Sequence, residues 1–201
     1  MTLRAFALSC TLKPSPSESS TDLLTQQLLD RFAEHGVETE MVRVVDHDIK
    51  PGVSSDEGEG DEWPALREKV LAADILVLGT PVWMGQPSSV VKRVLERMDA
   101  FLSEEDDQGR MVSLDKVAVV VTVGNEDGAH AIAGNLYQAL SDIGFTIPPQ
   151  GQTYWVGEAM GSTDYKDLDE PPEKVAQTTA DLARLTTHLA RVLKADPYPP
   201  S

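Results

Sequence analysis

The chain has 201 residues, 41% hydrophobic and 25% charged, which is enough for one globular domain with a substantial core. Its 17 Lys and Arg stand against 33 Asp and Glu, and the resulting net charge of −16 opposes binding to nucleic acid and to anionic membrane surfaces. One cysteine excludes an intramolecular disulfide, and the longest apolar runs, such as VAVVVTV, fall far short of a membrane span. The first residues lack a basic stretch followed by a long apolar run, so no signal peptide is expected and a cytoplasmic location is.

In chain order, residues 3–9 (LRAFALS) read as a first strand. A loop crowded with hydroxyls and prolines follows, and residues 21–35 then form an amphipathic helix with Leu24, Leu28, Phe32 and Ala33 on one face. Gly36 sits where a glycine commonly ends a helix. Residues 37–44 alternate apolar and polar, as an edge strand does. An acidic, Gly-rich loop covers 45–63, and Pro64 opens a short helix over 64–73. The runs 74–80 and 116–124 are nearly continuously apolar, the pattern of strands buried on both faces of a parallel sheet.

Between these two strands, Val90, Val91, Val94, Leu95, Met98, Phe101 and Leu102 make a helical stripe over 87–102. A further helix is expected over 128–142, a short fifth strand at 144–148 (GFTIP), a second long loop over 148–171, and a long packing helix over 172–194. The alternation of strands and helices predicts a doubly wound α/β domain with a five-stranded parallel sheet, a single domain over 1–195, and an extended tail over 196–201.

In such a sheet a ligand sits beyond the C-terminal ends of the strands. Three loops leave those ends: 9–21, 80–87 and 123–128. The first has no glycines for a dinucleotide fingerprint and no P-loop pattern. Cys10 lies where a small tyrosine phosphatase carries its nucleophile, but Pro16 stands where that chemistry needs an arginine. A response regulator would show an aspartate where Thr80 stands. What the loop does carry is Ser9, Thr11, Lys13, Ser15, Ser17, Ser19, Ser20 and Thr21 ahead of a helix. Hydroxyls and free N–H groups at a helix N-terminus can hold a phosphate without net charge, although a Ser-rich surface loop with an ordinary cap reads the same way in isolation.

The loop TPVWMGQP (80–87) is stiffened by Pro81 and Pro87 and carries Trp83 beside Gly85, a composition suited to a planar ligand or simply to a core tryptophan. In TVGNEDGA (122–129), Gly124 and Gly128 bracket Asn125, Glu126 and Asp127, a turn that can offer backbone groups to the polar edge of a ring.

Together these segments resemble the flavodoxin-fold NAD(P)H-dependent FMN reductases and related flavoproteins, from residue 3 to about 155. The resemblance implies strand order 2-1-3-4-5 and an FMN cofactor with NAD(P)H as co-substrate. Carried onto this sequence, it implies that Ser9, Thr11, Lys13, Ser17, Ser19, Ser20 and Thr21 face the FMN phosphate. Pro81, Val82, Trp83, Met84 and Gly85 would line one side of the ring, and Thr122, Gly124, Asn125 and Gly128 the other side and its polar edge. Relatives often begin the first loop with Gly-Ser-x-Arg; Ser-Cys-Thr-Leu-Lys stands here, so Lys13 would replace a bidentate arginine by a point charge.

The expected activity is hydride transfer from the nicotinamide through FMN to a small acceptor such as free flavin or a quinone, with no dedicated catalytic acid or base and no metal. The alternatives are a flavodoxin-type electron carrier, which high negative charge would suit, and a non-catalytic α/β binding module. The resemblance also implies a homodimer or homotetramer.

Overall fold

The computed structural model describes residues 2–200. The first half runs β1 (Leu3–Ser9), α1 (Ser20–Glu34), β2 (Val37–Arg43), α2 (Trp63–Ala72) and β3 (Ile75–Trp83). A two-residue strand β4 (Gln86–Pro87) follows, then α3 (Ser89–Met98), β5 (Val117–Gly124), α4 (Ala129–Asp142), β6 (Gln152–Val156) and α5 (Glu173–Ala195). The sheet order is β2-β1-β3-β5-β6, all parallel, with β4 folded back antiparallel on β3. This is the expected flavodoxin-like order of five parallel strands, renumbered because a short hairpin arm intervenes.

Side chains of the central strands alternate between two cores. On β5, Ala118 and Val120 join the core covered by α2, α3 and α4, while Val117, Val119, Val121 and Val123 join the one covered by α1 and α5. Burial on both faces is why these strands are continuously apolar. On α1 the buried face is Thr21, Leu24, Thr25, Leu28, Leu29 and Phe32; Ala33, expected there, is exposed. Gly79 on β3 permits the close approach of α1, since a Cβ at that position would lie 2.6 Å from Thr25 Oγ1 and 3.3 Å from Thr21 Cγ2.

The expected fifth strand at 144–148 is displaced. Thr146 makes one bridge to Val117, and the chain then meets Pro148 and Pro149, which have no N–H to give to a ladder. Pairing resumes where Gln152 meets Val120 and continues to Val156. The last strand therefore ends at residue 156, eight residues beyond the expected end, and so does the loop that leaves it.

The acidic loop between β2 and α2 is folded around a buried ion pair. Arg97 of α3 donates to Asp61 Oδ1 at 3.0 Å and Oδ2 at 2.7 Å, and both side chains are fully buried. Arg97 also donates to the carbonyls of Ser54 and Lys50, each at 3.0 Å. Burial alone would raise the Asp61 carboxyl; the Arg97 guanidinium and the N–H groups of Glu57, Trp63 and Lys50 overcome it and hold the carboxyl far below its ordinary range.

The tail beyond α5 is anchored through Tyr198. Its N–H donates to Asp115 at 2.8 Å, its carbonyl accepts from Arg110 at 2.7 Å, and its hydroxyl meets Thr146 Oγ1 at 3.1 Å.

Candidate flavin site

The loops leaving the C-terminal ends of β1, β3, β5 and β6 enclose a cleft of about 580 Å³, a size typical of small-molecule sites. One end of it is the N-terminus of α1. Ser19 caps this helix, its hydroxyl accepting from Asp22 N–H at 3.3 Å, and its carbonyl accepts from Leu23 N–H at 3.1 Å. The N–H groups of Ser20 and Thr21 belong to the first turn, where a helix has no carbonyl to satisfy them. Thr11, Lys13, Ser19, Ser20 and Thr21 all line this end.

Two of the expected phosphate residues are elsewhere. Ser9 is fully buried, and its hydroxyl donates to the Asp22 carboxylate, which Arg43 Nε also holds. Ser17 is exposed on an excursion away from the cleft. That excursion is pinned at Ser15, whose N–H and hydroxyl donate to Asp46 at 2.9 and 2.5 Å and hold the Asp46 carboxyl below its ordinary range. Cys10 is a structural element. Its N–H donates to Gly79 at 2.7 Å, its carbonyl accepts from the Ser88 hydroxyl at 2.7 Å, and burial pushes its thiol up, out of the reactive range.

The second wall is the β3–β4 hairpin. Pro81, Val82 and Trp83 line the cleft, and Trp83 is 54% exposed. Met84 and Gly85 form the two-residue tip with φ of 53° and 71°, the left-handed pair of a type I′ turn. Met84 projects outward, 90% exposed, and Gly85 lies behind the wall rather than on it.

On the third loop, Gly124, Asn125 and Glu126 line the cleft. Thr122 is fully buried below it, its hydroxyl without a hydrogen-bond partner among the described residues. Gly128 backs onto the hairpin: a Cβ there would lie 2.9 Å from Gly85 Cα. The expected residues Ser9, Ser17, Met84, Gly85, Thr122 and Gly128 thus stand outside the lining, while the remaining ten are brought together in it.

The fourth wall was not legible in the sequence. It consists of Trp155 near the end of β6 and of Ala159, Met160, Asp164 and Tyr165 on the loop that follows. Asn125 Nδ2 donates to Asp164 Oδ1 at 2.8 Å, Gly157 N–H to Gly124 at 2.8 Å, and Lys166 N–H to the Ser20 hydroxyl at 3.2 Å. Tyr165 packs on Trp155 with ring centroids 5.5 Å apart and donates to Gln27 at 2.6 Å. Lys166 Nζ, 2.5 Å from Asp167 and 3.9 Å from Glu18, brings a second cation beside the α1 N-terminus. The one signal for this wall was Trp155 in TYWVG, which becomes readable once the strand before it is correctly placed.

The donor set fits a flavin nucleotide. Uncommitted N–H groups, hydroxyls and Lys13 meet at one end, as a phosphate requires. Val82, Trp83 and Trp155 supply flat apolar surface at the other. The family model of the NADPH-dependent FMN reductases matches residues 4–160.

The chain belongs to the NADPH-dependent FMN reductase family.

FMN is the cofactor of this flavin-dependent oxidoreductase family, and NAD(P)H is its electron donor. The solved structure of RosB with its bound intermediate 8-demethyl-8-formylriboflavin-5'-phosphate superimposes with a TM-score of 0.89 at 34% identity, covering 98% of this chain and 82% of that one. The 8-demethyl-8-aminoriboflavin-5'-phosphate synthase of Streptomyces davaonensis is 35% identical over 98% of this chain and 81% of its own length. A Mycobacterium bovis protein named divalent metal cation transporter MntH is 40% identical over 96% of this chain, which spans only 29% of that protein's length. The fold is shared with a flavodoxin from the domain Archaea, with a TM-score of 0.60 at 8% identity over 93% of this chain and 99% of that one. No helix among the described residues is long and apolar enough to cross a membrane.

Proposed function

We propose that the chain passes a hydride from NAD(P)H, through bound FMN, to a small acceptor such as free flavin or a quinone. The observation that carries this reading is the joining of three walls, on the loops after β1, β3 and β5, into one cleft that ends at the first-turn N–H groups of Ser20 and Thr21. In this reading Thr11, Lys13, Ser19, Ser20 and Thr21 hold the phosphate. Pro81, Val82 and Trp83 hold one side of the ring, and Gly124, Asn125 and Trp155 the other. FMN supplies the hydride chemistry when bound, and the protein supplies position and electrostatics. Ser9 and Gly128 act behind the lining, Ser9 by fixing Asp22 and Gly128 by letting two loops meet. The exposed apolar side chains at the mouth, Leu12, Trp83, Met84 and Met160, suit a homodimer or homotetramer, which light scattering with and without FMN would test.

Two experiments test this function. The absorbance spectrum of the protein with FMN, followed anaerobically before and after NADPH, should show bound flavin that bleaches in a single turnover; flavin reducible only by dithionite or a protein partner would favour an electron carrier. Replacing Ser20 and Thr21 together by Ala should weaken FMN by roughly tenfold and riboflavin by less than twofold, because only FMN carries the phosphate. Equal weakening of both would place the phosphate elsewhere.

A second reading is favoured by the two relatives at 34 and 35% identity, whose names concern chemistry on the flavin ring itself. Here the flavin nucleotide is the substrate, and its mass changes on turnover. A mass spectrum of the flavin released after turnover separates the two readings: unchanged FMN supports the oxidoreductase, an altered ring the modifying enzyme.

A further inference from the structure

Glu126 has a part that the cleft's lining does not express. It follows Asn125 at the C-terminal end of β5, half-buried at the cleft edge. Its carboxylate turns to the neighbouring loop, where Oε1 accepts from Met84 N–H at 2.7 Å and Oε2 from Gly85 N–H at 3.2 Å. Those are the two tip residues of the β3–β4 hairpin. A left-handed conformation is costly for methionine, and such a residue persists only when its surroundings hold it there. One surrounding constraint is the contact of Gly128 with Gly85: a Cβ on Gly128 would lie 2.9 Å from Gly85 Cα, so the third loop can pack on the tip only with glycine at 128. The other is Glu126, whose paired acceptors match the two N–H groups of the tip and whose charge strengthens both bonds. The hairpin in turn fixes Trp83, which precedes the tip, pairs with Gln86 across it and stands half-exposed as a wall of the cleft.

We propose that Glu126 is a positioning residue of the flavin site: its carboxylate locks the Met84–Gly85 tip and thereby sets the Trp83 wall. The proposal rests on the FMN reading above. It assigns Glu126 no contact with the reacting atoms. It makes the reach of the side chain, more than its charge, the property that matters. Glutamine has the same reach and can keep the shorter bond through its carbonyl; aspartate keeps the charge but is one methylene short.

The test uses the full chain as wild type and as Glu126→Ala, Glu126→Gln and Glu126→Asp. Amide hydrogen exchange of the segment 82–86 is measured without flavin, and FMN affinity by fluorescence titration. Glu126→Ala should speed exchange in that segment by roughly tenfold while β5 remains as protected as in the wild type, and should weaken FMN by a similar factor. Glu126→Gln should recover most of both, and Glu126→Asp little of either. Unchanged exchange in Glu126→Ala overturns the lock. Faster exchange with FMN affinity within twofold of wild type overturns its role in the site. Recovery by Asp and not by Gln shows that charge, not reach, is what matters, and overturns the proposal. A wild type that binds no FMN overturns the functional reading alone, since the exchange comparison still decides whether Glu126 holds the hairpin.

Discussion

The two long loops of this protein, 45–63 and 157–171, share an acidic composition and little else. The first is closed around Arg97 and Asp61, both without solvent contact, and five further hydrogen bonds from its own backbone and α3 complete the cluster. The second is held by Tyr165, which is buried in the core and donates to Gln27, and at its rim by single bonds to Asn125 and Ser20, while Met160 is 98% exposed above the cleft. A buried charge pair tolerates no partial opening, because either charge left alone pays its full desolvation. Single bonds at the rim can break one at a time. The loop away from the cleft is thus closed on a buried charge pair, and the loop over the cleft on one buried tyrosine and single hydrogen bonds at its rim.

The largest expected effect breaks the first loop. Arg97→Leu strands the Asp61 carboxylate and should cost about 3–5 kcal/mol of stability, lowering Tm by on the order of 10 °C. FMN affinity of the folded fraction should stay within twofold of wild type, checked by titration below the transition. A changed affinity at unchanged stability would erase the distinction between the loops.

A smaller effect follows from acid. The Asp61 carboxyl is held below its ordinary range in the folded protein, so its contribution is complete above the unfolded value of about 4 and is lost as pH falls through the lower folded value. The stability difference between wild type and Asp61→Asn, from urea unfolding at several pH values, should be constant from pH 7 to about pH 5 and shrink below pH 4. A difference that grows on acidification would show the pair to be unimportant.

The smallest effect tests the second loop. Asp164→Ala removes the partner of Asn125 at the rim, worth about 1 kcal/mol as a single hydrogen bond. FMN should bind several-fold more weakly while Tm moves by less than about 4 °C. A stability loss as large as that of Arg97→Leu would make the second loop core as well.

How much of this was legible follows from what periodicity can carry. The buried strands and amphipathic helices announce themselves because burial on one or both faces repeats with the geometry of the element. The first three cleft walls were readable for the same reason: they sit at the ends of strands that could be placed. The fourth was lost with the displaced last strand, because GFTIP has strand composition and only the absent N–H groups of Pro148 and Pro149 argue against it. Arg97 shows another boundary. On a helical stripe it reads as a solvent residue, and only Asp61, 36 positions away, makes it buried. The direction of a hydroxyl is not periodic at all, so Ser9 and Ser20 look alike in sequence while one serves Asp22 and the other the cleft.

The clasp on Tyr198 bears on how the protein can be handled. Asp115 and Thr146 lie just before β5 and before β6, at the N-terminal ends of the strands and so opposite the cleft, and they hold the chain there as it leaves α5. An electrode linker or affinity handle joined behind this clasp would leave on the far side of the molecule. Tethering at that end should keep the cleft facing solution, with diffusion to it unhindered.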